Sequence, residues 1–404
     1  MEVTKFYESL LGIGEPWFVK GVVMDVAGRR VEVEIGCREK TAWGDEKEGR
    51  FHIQSWEERR WRHLDSCGFT TELVARVPRL KRPDGTTLMV EVPWAERYTR
   101  WTKAFGSFAI MVLKGARSTQ EGCDLLGIGW EMAQRIMKRA VERGLEKRDL
   151  KDVRFAGVDE KSFKRGQDYV TVLTDLERGR VLEVTEGRSQ ESAKEAIGGL
   201  PAEVRQAVEA VAADFAPSYR AAVMEMLPSA VLVLDKFHAM QLLGKAVDEV
   251  RRAEHRRRLA DKDETLTGTR QIWLKAVENL GKDDYLRLKE LMAMDVKVGR
   301  AWVLKEQFRH FWSRRDRRRA VIHFKEWCSR AMRSRLKPIK RCARTFRERL
   351  DELLNYYLHP ITNAVSEGLN SRIQALKANA RGFRSFANYR ISILFHLGGL
   401  DMAQ

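Results

Sequence analysis

Apolar and polar positions change period several times along this chain. Up to about residue 92, short apolar runs alternate with turns, as half-buried strands do. Gly21–Ile35 predicts a hairpin around Gly28, and Thr70–Leu80 and Thr86–Val92 flank a Pro83-Asp84-Gly85 turn. From Tyr98 to about Leu150 the period is helical: one helix runs from Tyr98 to Gly115. A second begins at Ser118, whose hydroxyl can cap it with Glu121 three residues on. Gly127-Ile128-Gly129 breaks it, and Trp130–Arg143 resumes as a basic helix. Helix, glycine turn and basic helix is the helix-turn-helix pattern, so Gln134, Arg135, Lys138 and Arg139 are candidates for DNA contact.

Three runs dominated by apolar and β-branched residues follow, Phe155–Val158, Tyr169–Leu173 and Arg180–Val184, separated by segments carrying Gly166 and Gly179. They predict an antiparallel meander with Asp159 and Glu160 at the exit of its first strand. Ser189–Ala210 reads as helical, interrupted at Gly198–Pro201, and propensity alone continues helix through Val208–Asp214. Pro217 suits the first turn of another helix. Ala230–Leu234 is continuously apolar, as a strand covered on both faces would be, and Asp235-Lys236-Phe237-His238 follows at once. Strands and helices therefore alternate, giving an α/β domain with a mixed sheet. The chain turns helical again from about Ala239 to His359. After it, Ile361, Val365, Leu369, Ile373 and Leu376 form one helical face, and Asn363, Glu367, Asn370, Gln374 and Lys377 another. A lone glutamate on an amide stripe is a candidate metal ligand.

Charge sharpens this picture. The 404 residues carry a formal +17, which favours a polyanionic partner. Between Leu304 and Arg349 stand 17 Lys and Arg against 4 Asp and Glu, a net +13 in 46 residues. Arg314, Arg315, Arg317, Arg318, Arg319, Lys337, Lys340 and Arg341 are candidates for phosphate contact, with Trp302, Phe308, Phe311, Trp312, Phe324 and Trp327 interleaved among the basic residues. The five cysteines are scattered and odd in number, which fits a reducing compartment and no disulfide scaffold. No apolar run is long enough to span a bilayer, and MEVTKFYESL lacks the apolar core of a secretion signal. Cys37 and Cys67 stand alone, and His52 and His63 read as ordinary polar residues.

GVDEKSFKRGQDYVTVLTDLERGRVLEV, AADFAPSY, LVLDKFHAMQLL and NAVSEGLNSRIQALKANARGFRSFANYRI resemble, in order and spacing, the catalytic domain of the ISL-three family of bacterial insertion-sequence transposases. RWRHLD, VPRLKRPDGTTLMVEVPWA and the helix-turn-helix resemble the family's DNA-binding region. The resemblance implies an RNase H-like catalytic domain with a mixed five-stranded sheet and a large helical insertion. It also implies a division into a β-rich, degenerate zinc-ribbon-like segment (1–95), a helix-turn-helix (96–150), a first catalytic part (151–238), a basic helical insertion (239–359) and C-terminal helices (360–404). Asp159, Asp214 and Glu367 match the three DDE carboxylates, so that the resemblance assigns Val208–Ala213 to a strand. Asp235 and His238 match the Asp-x-x-His motif beside the site. The family's two Cys-x-x-Cys knuckles read here as Cys37-Arg38-Glu39-Lys40 and Arg82-Pro83-Asp84-Gly85, so zinc is not expected. Trp56, Trp61, Val77, Leu80 and Val92 are candidates for the packing that replaces it.

The implied chemistry is two-metal phosphoryl transfer with Mg²⁺, or Mn²⁺ in its place: cutting at element ends, then joining of the 3′-hydroxyl to target DNA. Asp159 would bridge both ions, with Asp214 and Glu367 holding one each. Asp235 is the alternative second ligand if the strand order is misread. The implied partners are double-stranded DNA with terminal inverted repeats, target DNA and a second copy of the chain, in the bacterial cytoplasm at the nucleoid and with no membrane. A non-catalytic, domesticated repressor that recognises element ends and a structure-specific nuclease are the rival readings.

Overall fold

The period changes of the sequence become two compact units, Met1–Lys147 with Leu400–Gln404, and Arg148–Gly399. The structure is a computed structural model that describes residues 3–38, 41, 43–45, 49–164, 168–361 and 364–403. Glu39, Lys40, Gly166 and Asn363 lie outside the described residues.

In the first unit, α1 (Val3–Leu11) precedes β1 (Trp17–Asp25), β2 (Arg30–Cys37), β3 (Trp43–Asp45), β4 (Gly49–Arg62), β5 (Thr70–Lys81) and β6 (Thr87–Met89). The sheet order is β1-β2-β5-β4-β3, with β6 on β5. The expected hairpin is β1–β2, longer than predicted, and its left-handed residue is Arg29 (φ 50°) rather than Gly28. Val33, Leu73 and Val77 point from alternate positions into a core where Trp94 meets Trp17 and Trp61 edge-on, at 5.2 and 5.6 Å between ring centroids. Of the expected core residues, Trp61, Val77 and Leu80 are buried, but Trp56 is exposed and Val92 half-buried. Trp17 and Trp94 do what was assigned to Trp56.

Three helices follow, α2 (Lys103–Gly115), α3 (Thr119–Leu126) and α4 (Trp130–Glu146). The first starts at Lys103 rather than Tyr98, because Tyr98 is left-handed (φ 62°) and Thr102 caps the amide of Phe105. Ser118 caps the second by accepting from the amide of Glu121 at 3.1 Å, and left-handed Gly127 ends it.

In the second unit, β7 (Phe155–Ser162), β8 (Tyr169–Asp175) and β9 (Arg180–Glu186) form the meander. Asp159 and Glu160 lie within β7 rather than at its exit, because pairing with β8 continues to Ser162 opposite Tyr169. After α5 (Gln190–Gly198) and α6 (Ala202–Ala207) come β10 (Ala210–Ala213), α7 (Pro217–Met226) and β11 (Val231–Leu234). The order is β11-β10-β7-β8-β9, with β7, β10 and β11 parallel and the other pairs antiparallel. Propensity put helix through Val208–Asp214, and β10 overturns that. Its residues Ala210–Ala213 are fully buried between two parallel strands, and ladder hydrogen bonds with burial on both faces outweigh alanine's helix preference. One face of the sheet, with Ala156 and Val158, packs on Ala193, Ile197, Tyr219 and Val223 of α5 and α7.

The helical stretch comprises α8 (Lys236–Ala260), α9 (Arg270–Leu274), α10 (Lys282–Ala293), α11 (Lys297–Arg309), α12 (Arg317–Arg333), α13 (Lys337–Glu348) and α14 (Leu350–Leu354). Phe308, Phe311, Trp312, Phe324 and Trp327 are its core rather than part of a DNA-facing surface; Trp302 packs against them half-buried. Last come α15 (Ala364–Asn379) and α16 (Phe386–Leu397), where Arg390 binds Glu183 of β9 through two 2.7 Å hydrogen bonds. The buried residues of α15 are Ser366, Leu369, Asn370 and Ile373. The border between the apolar and amide stripes thus faces inward, not the apolar stripe alone.

Candidate active site

Strand register builds the site. Val158, Ala213 and Leu234 are direct neighbours across β7, β10 and β11. The residue that follows each of them in the chain is an aspartate: Asp159, still within β7, and Asp214 and Asp235, just past β10 and β11. Adjacent strands lie about 4.8 Å apart, so three carboxyls are delivered to one end of the parallel ladder.

Each has its own surroundings. Asp159 is 4% exposed; its Oδ1 accepts from the amide of Glu160 at 2.8 Å and its Oδ2 from Asn370 Nδ2 of α15 at 2.6 Å. Asp214 accepts from the amide of Ala216 at 2.8 Å. Burial pushes its carboxyl above the usual range; the charge of Asp159 adds to this, while the Ala216 bond and His238 oppose it. Asp235, 2% exposed, caps α8: its Oδ2 accepts from the His238 amide (3.2 Å) and pairs with His238 Nδ1 (3.0 Å). Burial pulls His238 down, but the hydrogen bond to Asp235 and the charges of Asp159, Asp235 and Asp214 outweigh it, and the net shift is upward.

Glu367 comes from the other side, on α15. That helix approaches β7 closely because residue 157 is glycine. Ser366 Oγ lies 2.9 Å from Thr174 Oγ1, which donates to the carbonyl of Gly157 at 3.2 Å. One turn on, Asn370 reaches Asp159, and further along Lys377 Nζ donates to the Ser162 carbonyl at 2.9 Å. Glu367 Oε1 is buried and accepts no hydrogen bond among the described residues. Burial pushes Glu367 up, as do the charges of Asp235 and Asp159, against His238 and Lys161. The second acidic residue of the meander, Glu160, sits on the opposite face of the strand and pairs with Arg188 at 3.7 Å.

As placed, no three His, Cys, Asp or Glu side chains among the described residues stand close enough to hold a metal ion. The donor set nevertheless fits a hard divalent cation, being all carboxylate oxygen, with an orphaned buried Oε1 and two carboxyls whose ionisation is opposed by burial and by like charge. A cation would relieve each of these.

The expected DNA-contact residues divide. On α4, Arg135 and Lys138 are exposed, beside Glu131 (3.2 Å) and Glu142 (3.8 Å). Gln134, expected on that face, is buried instead, because its position falls on the Ala133–Met137 side of the helix. Arg139 is drawn to Glu96 at 3.1 Å and to the Arg97 carbonyl at 2.9 Å. Arg315, Arg317, Arg318, Arg319, Lys337 and Arg341 are exposed; Arg317 pairs with Asp351 and Arg341 with Glu249. Lys340 is half-buried, as is Arg314, which binds His323 Nδ1 at 3.0 Å.

Residues 156–393, more than half of the chain, match the family model of the ISL-three DDE transposases, described as transposase. The chain belongs to the ISL-three transposase family. A second match, over residues 45–81, is to a model described as the zinc-finger of transposase IS204/IS1001/IS1096/IS1165. The transposase for insertion sequence element IS1001 of Bordetella parapertussis is 25% identical over 322 residues, 78% of this chain and 79% of that protein. The transposase for IS1557 of Mycobacterium tuberculosis (strain H37Rv) is 29% identical over 377 residues, 86% and 82% respectively.

The zinc-finger match covers β4 and β5, and its ligand set does not fit zinc. Its one cysteine is the exposed Cys67. His63, read from sequence as an ordinary polar residue, is buried, with Nδ1 2.9 Å from Thr102 Oγ1; burial and the neighbouring Arg62 pull it down to about 4. Where this transposase family would have its second knuckle, the Gly85 amide donates to the Arg82 carbonyl (3.0 Å) and Asp84 Oδ1 accepts from the Thr86 amide (2.8 Å). These bonds make Arg82–Thr86 a hydrogen-bonded turn.

Proposed function

We propose that this transposase cuts DNA at the ends of an insertion sequence and joins the freed 3′-hydroxyl to target DNA, using Asp159, Asp214 and Glu367 as its metal-binding carboxylates. The observation that carries this reading is the register of β7, β10 and β11 together with the Asn370–Asp159 hydrogen bond, which draws the helix of Glu367 to the same strand end. The mixed sheet order and the helix bearing the glutamate support an RNase H-like catalytic domain. Two Mg²⁺ ions, or Mn²⁺, would activate the attacking oxygen and stabilise the leaving one.

The chain's own residues prepare that chemistry. Asp159, fixed on both oxygens, is the rigid member. Asp214 is the second ligand rather than Asp235, since Asp235 is spent on capping α8 and orienting His238. With Nδ1 held, His238 exchanges a proton through Nε2 and steadies the scissile phosphate. The exposed arginines of the helical insertion and Arg135 and Lys138 of α4 hold duplex backbone. Two element ends must meet, so the acting species is at least a dimer on DNA with inverted terminal repeats. No helix among the described residues is long and apolar enough to cross a membrane, and we place the protein at the nucleoid.

Purified protein, duplexes carrying the sequence that flanks its gene, and Mg²⁺ or Mn²⁺ test this directly. Nicking and joining are expected, with Asp159→Asn and Glu367→Gln inactive; undiminished joining by Asp159→Asn removes the assignment. Loss of cleavage in Asp235→Asn with none in Asp214→Asn would exchange the second ligand.

A further inference from the structure

Several of the cations near the carboxylates, among the described residues, have a structural task. Lys377 is committed to the Ser162 carbonyl and Arg349 to Glu352. Arg188 binds Glu160 on the other face and covers the Tyr169 ring at 4.1 Å. Lys161 is different. It follows Asp159 by two residues on β7, so both side chains leave the same face of the sheet. Its Nζ lies 3.9 Å from Asp159 Oδ2, beyond hydrogen-bond distance, and makes no hydrogen bond among the described residues. Nor does Asp159 need it, since both of its oxygens already accept shorter bonds, from Glu160 and Asn370. The side chain is 24% exposed, and its charge counters the upward shift of Glu367. It therefore stands beside Asp159, on the sheet face that α15 approaches, with no hydrogen bond among the described residues.

We propose that Lys161 is a catalytic residue that binds a non-bridging oxygen of the scissile phosphodiester. The inference rests on the function proposed above. In the cutting step, water forms a bond to phosphorus and the bond from phosphorus to the 3′-oxygen breaks. The hydroxyl part of the water stays on phosphorus and a proton ends on the released 3′-oxygen. The phosphoryl group carries one more negative charge in the transition state than in the ground state. A cation held beside Asp159 opposes that charge without taking part in bond making. The lysine stem supplies a point charge with three rotatable donors, which suits an oxygen whose position shifts during the reaction.

Single-turnover cleavage of the flanking-sequence duplex, at saturating protein, tests this with two substrates: the natural one, and one bearing an uncharged methylphosphonate at the scissile position. Lys161→Ala should cleave the natural duplex about 100-fold more slowly while binding it as tightly as wild type, and Lys161→Arg should recover part of the rate. The methylphosphonate should slow wild type strongly and Lys161→Ala far less, because the charge and its partner are lost only once. Multiplicative losses, a wild-type rate for Lys161→Ala, or a defect confined to binding would each overturn the proposal. If Lys161→Ala melts lower than wild type, Lys161→Gln carries the same comparison. Wild-type protein that cleaves neither duplex with any divalent ion would instead sink the proposed function, and this inference with it.

Discussion

At Gly157 a single methyl group would have nowhere to go. A Cβ there would stand 2.6 Å from Thr174 Oγ1, 2.7 Å from Ser366 Oγ and 2.9 Å from Leu176 Cδ2. Gly157→Ala should destabilise the second unit by about 1–3 kcal/mol in denaturant unfolding, and push α15 outward enough to slow cleavage about 100-fold. Unchanged rates would mean that α15 is not set by this contact. Ionisation gives two further expectations. The folded pKa of Asp214 is raised, so its stabilising contribution is present below the ordinary aspartate range and lost as pH rises through the raised value. Without divalent cations, Asp214→Asn should therefore melt higher than wild type near pH 7.5. The advantage should vanish in acid, and Mg²⁺ should raise the Tm of wild type alone. For His63 the sign is opposite. Its folded pKa is lowered from 6.5 to about 4, so the stability it contributes is present above pH 6.5 and lost as pH falls towards 4. Tryptophan-monitored unfolding should lose up to ~3 kcal/mol over that interval, and His63→Gln should flatten the profile.

Among the elements, aromatic packing holds the first unit, in which residues 45–81 match a model described as a zinc finger. A strong chelator should leave its Tm unchanged, whereas Trp94→Ala should cost about 3–5 kcal/mol; a chelator-induced fall would restore the metal. The sequence did not disclose which aromatic residues pack the first unit. Trp17, Trp61 and Trp94 stand far apart in the chain and meet only once β1, β4 and the segment after β6 are folded together. The same limit hid β10. AVAA carries no period and little β propensity, and its strand identity comes from its two neighbours. The presence of the meander and β11 was legible because apolar and β-branched runs declare themselves locally, though the polar second half of β7 did not. On α15 the two stripes were legible and the rotation was not, since Gly157 and Thr174, rather than hydrophobicity, decide which edge turns inward.

For the molecule as a whole, charge without position was misleading about aromatics and helpful about arginines. The interleaved Phe and Trp residues are core, while Arg315, Arg317, Arg318 and Arg319 remain exposed at the start of α12. Replacing these four with alanine should weaken duplex binding and lower the slope of log K against log salt by up to about 4, as filter binding across a salt series would show. A slope equal to wild type would take this surface off the DNA. Asp159, Asp235 and Glu367 stood out one by one in the sequence and Asp214 only through the resemblance, but that the three aspartates leave the ladder side by side depends on the register of β7, β10 and β11. That ladder acts as a ruler, and rulers constrain unevenly. Between Asp235 and Glu367 the chain runs through all of α8 to α14, a stretch whose length sets none of the ruler's marks, although Asn355 bonds the Leu232 carbonyl of β11 and Glu352 pairs with Arg220 of α7. One residue added inside Ala210–Ala213 would change the length of the protein hardly at all, yet it would turn Asp214 to the wrong side of the sheet.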